Sequence, residues 1–213
     1  MISAQMKKIF GIGLVPLIVI DDANDAVPLG RALIEGGIPI AEVAMRTPSA
    51  LDAIRVMSQE VEGLIVGAGT VHTVKQAEDC VKCGATFIVT PGLVPAVTEW
   101  CIKNCIDVIP GAVTPTEIEA AMGFGLSVCK FFPAEAYGGV NTLKSLHDPF
   151  IDMSFMPTGG VNYDNMNDYL ALPNVAAVGG TFLAPRSMIK EENWAGIIAT
   201  CQKALKNKKT KQA

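Results

Sequence analysis

The sequence predicts an α/β fold, a small (β/α)8 barrel of the TIM type with a short N-terminal helix, in one domain over residues 1–213. Short β-branched runs recur along the chain, with starts roughly 20 to 26 residues apart, the length of one strand, one helix and two loops. There are eight of these runs, and they lack polar alternation, as parallel strands covered on both faces should. The segments between them carry helix start and stop signals. An open doubly wound sheet has no need of eight near-equal units, and no G-x-G-x-x-G follows the first run.

Met1 to Gly11 precedes the first strand and reads as a helix closing the bottom of the barrel. The strands are expected at Val15 to Ile20, Ile40 to Met45, Leu64 to Ala68, Phe87 to Thr90, Asp107 to Pro110, Ser127 to Phe132, Met153 to Thr158 and Val175 to Val178. Thr47-Pro48 has the form of an N-cap with proline in the first helical position, and Thr114-Pro115-Thr116-Glu117 repeats it with an acid in the first turn. Gly36-Gly37, Gly84 and Gly123 supply stops after Glu35, Cys83 and Met122.

Half of the residues are apolar, enough for a sizeable core, and the formal net charge of -4 gives no general attraction for nucleic acid. The basic tail from Lys203 to Lys211 reads as a frayed, solubilising helix end. Lys7-Lys8 and the apolar run after them imitate a signal peptide. That run contains Pro16, ends in Asp21-Asp22 without a small-residue cleavage site, and is needed as a strand. No segment is long enough to span a bilayer, so a cytoplasmic protein with no membrane partner is expected. The six cysteines demand no oxidising compartment. Cys80 and Cys83, with Cys101 and Cys105, loosely imitate a zinc ribbon, but they fall on helix-patterned segments and read as buried thiols.

One of the thirteen lysines stands apart: Lys130, inside Val128-Cys129-Lys130-Phe131-Phe132. Taking its ammonium out of water costs several kcal/mol unless the group is paired or gives up its proton. A free amine in such a place is a nucleophile suited to a ketone. In barrels of this type the catalytic groups project from the C-terminal ends of strands. Period-two geometry puts Glu42, Ala44 and Arg46 on one side of the second strand, Ala68 and Thr70 on one side of the third, Lys130 and Phe132 on the sixth, and Met156 and Thr158 on the seventh. If that side is the interior, an amine, a carboxylate, a guanidinium and a hydroxyl converge.

Each of these groups also has a structural reading. Glu42 serves equally as an ion-pair partner of Lys130, Arg46 as a surface residue, and Thr70 as the cap of the next helix. For the chemistry, Glu42 is placed to move protons and Arg46 to hold a carboxylate through two parallel hydrogen bonds. Thr158-Gly159-Gly160 and Gly179-Gly180-Thr181 end adjacent late strands, where close backbone N–H groups suit a phosphate.

Five motifs taken together resemble the 2-keto-3-deoxy-6-phosphogluconate (KDPG) and 4-hydroxy-2-oxoglutarate (KHG) aldolase family. They are Glu42-Val43-Ala44-Met45-Arg46-Thr47-Pro48, Gly67-Ala68-Gly69-Thr70-Val71, Thr90-Pro91-Gly92, Lys130-Phe131-Phe132-Pro133-Ala134-Glu135 and Pro157-Thr158-Gly159-Gly160, matching in order from about Val15 to Thr181. The resemblance implies a class I lyase with no metal or other cofactor, cleaving a phosphorylated six-carbon 2-oxo acid to pyruvate and glyceraldehyde 3-phosphate. It implies Lys130 as the Schiff-base residue and Glu42 as the acid/base. Arg46, Thr70 and Pro91 then surround the pyruvate moiety, and Phe132 and Thr158 line the pocket. Gly159, Gly160, Gly180 and Thr181 receive the phosphate.

The family is similar to small barrels that assemble as homotrimers, and by that analogy a homotrimer is expected. Two positions depart from the family: Thr181 stands where serine is common, and His72, where an apolar residue is common, reads as a surface residue. The alternatives are a preference for unphosphorylated 4-hydroxy-2-oxoglutarate, a non-catalytic phosphosugar-binding barrel, and a dehydratase or metal-dependent aldolase. The last is disfavoured with only His72 and His147 as histidines.

Overall fold

The structure, a computed structural model, describes residues 2–209. Eight parallel strands alternate with helices. They are β1 Leu14–Ile18, β2 Ile40–Ala44, β3 Ile65–Gly69, β4 Phe87–Val89, β5 Asp107–Ile109, β6 Val128–Phe131, β7 Ser154–Pro157 and β8 Val178–Gly180. Six pair in the order β5-β4-β3-β2-β1-β8, and β6 pairs with β7. Parallel bridges at Gly111 to Lys130, Phe155 to Val175 and Thr158 to Gly179 close the ring. The expected barrel is borne out.

Helix α1, Ala4–Ile12, packs Met6 and Ile9 into the core and covers the N-terminal ends of the strands. Ser3 caps it and also donates to Asp107 Oδ2 at 2.6 Å at the start of β5. The outer ring runs α2 Ala26–Glu35, α3 Ala50–Glu60, α4 Val74–Lys82, α5 Pro95–Lys103, α6 Pro115–Gly123, α7 Gly139–His147, α8 Met166–Leu170, α9 Arg186–Lys190 and α10 Trp194–Asn207. Lys208 donates to Ile12 O at 2.6 Å and ties the chain back onto the end of α1. Lys211, the last residue of the basic tail, lies outside the described residues.

Several local expectations are corrected. Helix α3 begins at Ala50, because Thr47 turns its hydroxyl onto Ile20 O at 2.5 Å instead of capping a helix. The capping box at Thr114 and Glu117 is present. Gly123 is the last residue of α6, and the left-handed turn after it falls on Gly125, at φ 76°. The eighth strand lies at Val178–Gly180, since Leu14, Val15 and Pro16 take Val178, Gly179 and Gly180 as partners, while Val175 bridges Phe155 outside the named strands.

Register decides which side chains face inward. Glu42 pairs with Leu17 and Gly67, Val43 with Ala68, and Ala44 with Gly69. Register partners in a parallel sheet point the same way. Ala68 therefore faces the helices with Val43, contrary to the sequence expectation, and the inward positions of β3 are Gly67 and Gly69. The reason is space. A methyl group on Gly69 would overlap Glu42 Oε1, and one on Gly67 would overlap the Phe87 ring.

Candidate active site

At the centre of the barrel Lys130 on β6 and Glu42 on β2 meet from opposite walls. Nζ lies 3.2 Å from Glu42 Oε1, with the side chains 2 % and 0 % exposed. Lys130 follows from its strand: its N–H donates to Pro110 O and its carbonyl accepts from Ala112, which fixes the edge of β6 towards β5, and its register with Met156 sets the edge towards β7. Phe131 points the other way, fully buried and edge-on to Phe155 at 6.2 Å. The Phe132 ring lies 5.4 Å from Nζ, within reach of an ammonium over an aromatic face.

Two buried oxygens beside this pair, Glu42 Oε2 and Thr158 Oγ1, have no hydrogen-bond partner among the described residues. Buried polar atoms are normally satisfied, so each such atom needs a reason. Here both belong to inward-facing residues of the barrel, and both are granted space by glycine. A methyl on Gly179 would lie 2.6 Å from Thr158 Oγ1, as a methyl on Gly69 would overlap Glu42. These glycines give the two polar side chains their room at the barrel axis, and the unpartnered oxygens are the atoms left there to meet a ligand.

Arg46 lies at the mouth, exposed, and donates from Nε to Thr70 Oγ1 at 3.0 Å. Its terminal nitrogens make no hydrogen bond or ion pair among the described residues. Thr70 adopts φ 59°, which takes it out of strand alternation and brings its hydroxyl to Arg46. The helix cap expected of it is supplied by Thr73, which accepts from Gln76 N. Pro91 stands beside Gly111, whose bridge partner is Lys130; a methyl on Gly111 would overlap the Pro91 carbonyl. His72 is exposed ahead of α4.

Gly159 and Gly160 follow β7 with φ 95° and 84°, two successive left-handed residues that only glycine adopts without strain. Gly159 packs at the Phe132 ring, where a methyl would lie 3.2 Å from Cδ2. Gly160 O accepts from the side-chain amides of Asn162 and Asn165 at 3.2 and 3.1 Å. The bridge from Thr158 to Gly179 sets Gly180 and Thr181 next to this turn. All eleven expected site residues thus lie at or above the barrel axis on the C-terminal side of the strands.

Sequence reasoning read Gly179 only as part of a phosphate turn and Gly69 and Glu135 only as motif members, and it missed Gly111 and Tyr169; Gly69 and Gly179 give Glu42 and Thr158 their room, and Glu135 and Tyr169 join behind the Gly159–Gly160 turn. An inward-facing glycine within a strand was the available signal for the glycines. Cys80, Cys101, Cys129 and Cys201 are buried, Cys83 is half-buried and Cys105 is exposed. Among the described residues no group of three or more His, Cys, Asp and Glu side chains comes together to hold a metal ion.

A closed parallel barrel with a buried amine and carboxylate at its axis defines a lysine-centred barrel enzyme of the aldolase kind. A family model described as KDPG and KHG aldolase matches residues 2–200, and the chain belongs to that family. It is 42% identical over 192 residues to a 2-dehydro-3-deoxy-phosphogluconate aldolase of Treponema pallidum, covering 90% of this chain and 91% of that one. The KDPG aldolase of Legionella pneumophila, solved with pyruvate captured at low pH as a covalent carbinolamine, superposes with a TM-score of 0.91 at 39% identity, covering 94% of this chain and 98% of that one. The Zymomonas mobilis aldolase solved with 3-phosphoglycerate also gives 0.91, at 34% identity, covering 98% of each chain.

Proposed function

We propose that this protein is a class I aldolase that cleaves 2-keto-3-deoxy-6-phosphogluconate to pyruvate and glyceraldehyde 3-phosphate through a Schiff base on Lys130. The observation that carries the reading is the buried contact of 3.2 Å between Lys130 Nζ and Glu42 Oε1 at the axis of the barrel. An ammonium has no lone pair for attack, and Glu42 is the base in contact with it. Once neutral, the amine adds to the C2 ketone and forms a carbinolamine. Loss of water from that intermediate gives a protonated imine.

The electrons of the C3–C4 bond then pass to the iminium nitrogen as the C4 hydroxyl gives up its proton, releasing the aldehyde. Protonation of the enamine at C3 and hydrolysis give pyruvate and free Lys130. Glu42 moves the protons at each stage. Arg46, with Thr70 holding its Nε, binds the substrate carboxylate through its terminal nitrogens. Pro91 borders the pyruvate moiety, and Phe132 and Thr158 line the pocket between it and the glycine turns.

The phosphate lies on Gly159, Gly160, Gly180 and Thr181. The successive left-handed glycines support this placement, and the 3-phosphoglycerate in the structure of the Zymomonas relative supports a phosphorylated ligand. The reaction needs no metal, and activity in excess chelator tests that. The chain forms a homotrimer in the cytoplasm. Exposed Ile102 and Met122 on neighbouring helices offer apolar surface for subunit contact, and light scattering decides the assembly. No helix among the described residues is long and apolar enough to cross a membrane.

Treatment with pyruvate and borohydride is the direct test. The expected result is an irreversible adduct mapped by mass to Lys130, and a folded protein left unmodified ends the Schiff-base reading. Comparing kcat/KM for the phosphorylated substrate and 4-hydroxy-2-oxoglutarate then fixes which aldehyde is released.

A further inference from the structure

Behind the glycine pair lies an acid that the reaction above does not use. Glu135 opens a single 3-10 turn, Glu135–Tyr137, directly after β6. Its backbone N–H donates to Gly159 O at 3.1 Å, and that of Ala134 donates to Thr158 O at 2.8 Å, so this turn is fastened to the end of β7. The Glu135 side chain then runs along Gly160. A methyl on Gly160 would overlap Glu135 Cγ and lie 2.7 Å from Cβ, but 3.8 Å from the carboxyl carbon.

The carboxylate is thus turned away from Gly160, and Tyr169 is what holds it there. Tyr169, on α8, is fully buried, and its hydroxyl donates to Glu135 Oε1. Burial, and then the Glu135 carboxylate, push the Tyr169 hydroxyl above its ordinary range, so it keeps its proton and remains a donor. The two groups meet beside Gly139, where a methyl would lie 2.7 Å from Tyr169 Oη and 3.0 Å from Glu135 Oε1. Asn162 and Asn165 hold the carbonyl of Gly160, so the glycine turn is fixed at both of its residues.

A carboxylate alongside a phosphate-binding turn is unfavourable, because like charges in contact repel; Glu135 and Gly160 are both exposed, so water and salt reduce the repulsion without removing it. We propose that Tyr169 is a specificity-determining positioning residue: its hydroxyl keeps the Glu135 carboxylate away from the Gly159–Gly160 turn, which leaves that turn open to a phosphorylated substrate. The proposal rests on the reading of the glycine pair as the phosphate site. Neither residue takes part in the chemistry at Lys130.

The test is steady-state kinetics of Tyr169→Phe on 2-keto-3-deoxy-6-phosphogluconate and on its unphosphorylated counterpart, 2-keto-3-deoxygluconate. Loss of one hydrogen bond to a charged group should raise KM for the phosphorylated substrate about tenfold. The turnover number and the KM for the unphosphorylated substrate should not move. Adding Glu135→Gln to Tyr169→Phe removes the freed charge and should restore the KM, a rescue that a merely structural role of Tyr169 does not give. If Tyr169→Phe fails to fold, Glu135→Asp takes its place, since a side chain one methylene shorter does not reach the tyrosine and should give the same split in KM.

Equal losses on both substrates, or no rescue by Glu135→Gln, overturn the proposal. A wild-type enzyme that shows no preference for the phosphorylated substrate overturns the phosphate reading and this proposal with it. A wild-type preference without a split in Tyr169→Phe overturns this proposal alone.

Discussion

Lys130 Nζ and Glu42 Oε1 are 3.2 Å apart although the residues are separated by 88 positions in the chain. They come from strands on opposite walls, and no other ion pair of the described residues is so buried. Taking both charges out of water is costly, and a buried pair often stabilises no better than apolar residues of the same volume. Packing alone therefore gives little reason to keep it. The pair has value because Glu42 can accept a proton from the amine and return it, and because Oε2 keeps a free lone pair for a second transfer.

Removing one partner separates catalysis from stability. Lys130→Met abolishes cleavage and leaves Glu42 buried without its cation, which should cost about 3 to 5 kcal/mol in unfolding free energy. Glu42→Gln keeps the shape and lowers kcat by about 100- to 10,000-fold, the usual range for a general acid/base. The double variant should be more stable than Lys130→Met, because the orphaned charge is gone. Denaturant unfolding and single-turnover assays read both effects, and a Lys130→Met protein as stable as wild type contradicts the buried ion pair.

The eight-unit rhythm and the one lysine among aromatics were legible because each is a local pattern. The meeting of Lys130 with Glu42 followed from parity once the interior sense was assumed. Parity failed on β3. Gly67, Ala68 and Gly69 carry too little side chain to show which face is polar, and register alone sets Ala68 outward. The eighth strand slipped toward Val175 for a related reason, since apolarity marks a strand in sequence whereas β1 pairs with two glycines. The contact of Glu135 with Tyr169 bridges a turn and a helix 34 positions apart, and neither residue stands out in its own segment.

Gly69 is a steric condition for catalysis. Its inward face lies against Glu42, so Gly69→Ala forces the carboxylate away from Lys130. Overpacking of this size costs about 1 to 3 kcal/mol, which the barrel survives. Displacing an acid/base by about 1 Å costs on the order of 100-fold in rate. The expected variant is folded by circular dichroism, with kcat reduced by that factor and slow borohydride trapping at Lys130. Wild-type turnover from it contradicts the packing of Gly69 on Glu42.

At the edge of the mouth Asp21 accepts from Arg186 Nε at 2.8 Å and pairs with Lys190, linking the end of β1 to α9. Arg186 foremost, with Lys190, holds the Asp21 carboxyl down from 3.8 to about 2. A folded value below the unfolded one means that the stabilisation is complete above the ordinary carboxylate range and fades as pH falls through about 2. The site is exposed, so the effect is small and screened by salt. Asp21→Asn should melt slightly below wild type at neutral pH, with the gap closing towards pH 2 and in high salt. A gap that persists unchanged at low pH counts against the ion pair as its source.

The thiols should divide by burial. Burial pushes Cys80, Cys101, Cys129 and Cys201 up to about 12, so at pH 8 each is a protonated, enclosed thiol, and a thiol reacts only as thiolate. Cys105 is exposed after α5, and Cys83 is half-buried beyond the end of α4. Iodoacetamide on the native protein should therefore label Cys105 first and Cys83 more slowly, and reach the other four only in denaturant. Intact-mass analysis counts the labels and peptide mapping places them. Prompt native labelling of Cys80 together with Cys83 is the outcome that contradicts this packing, because it requires α4 to turn its buried face to solvent.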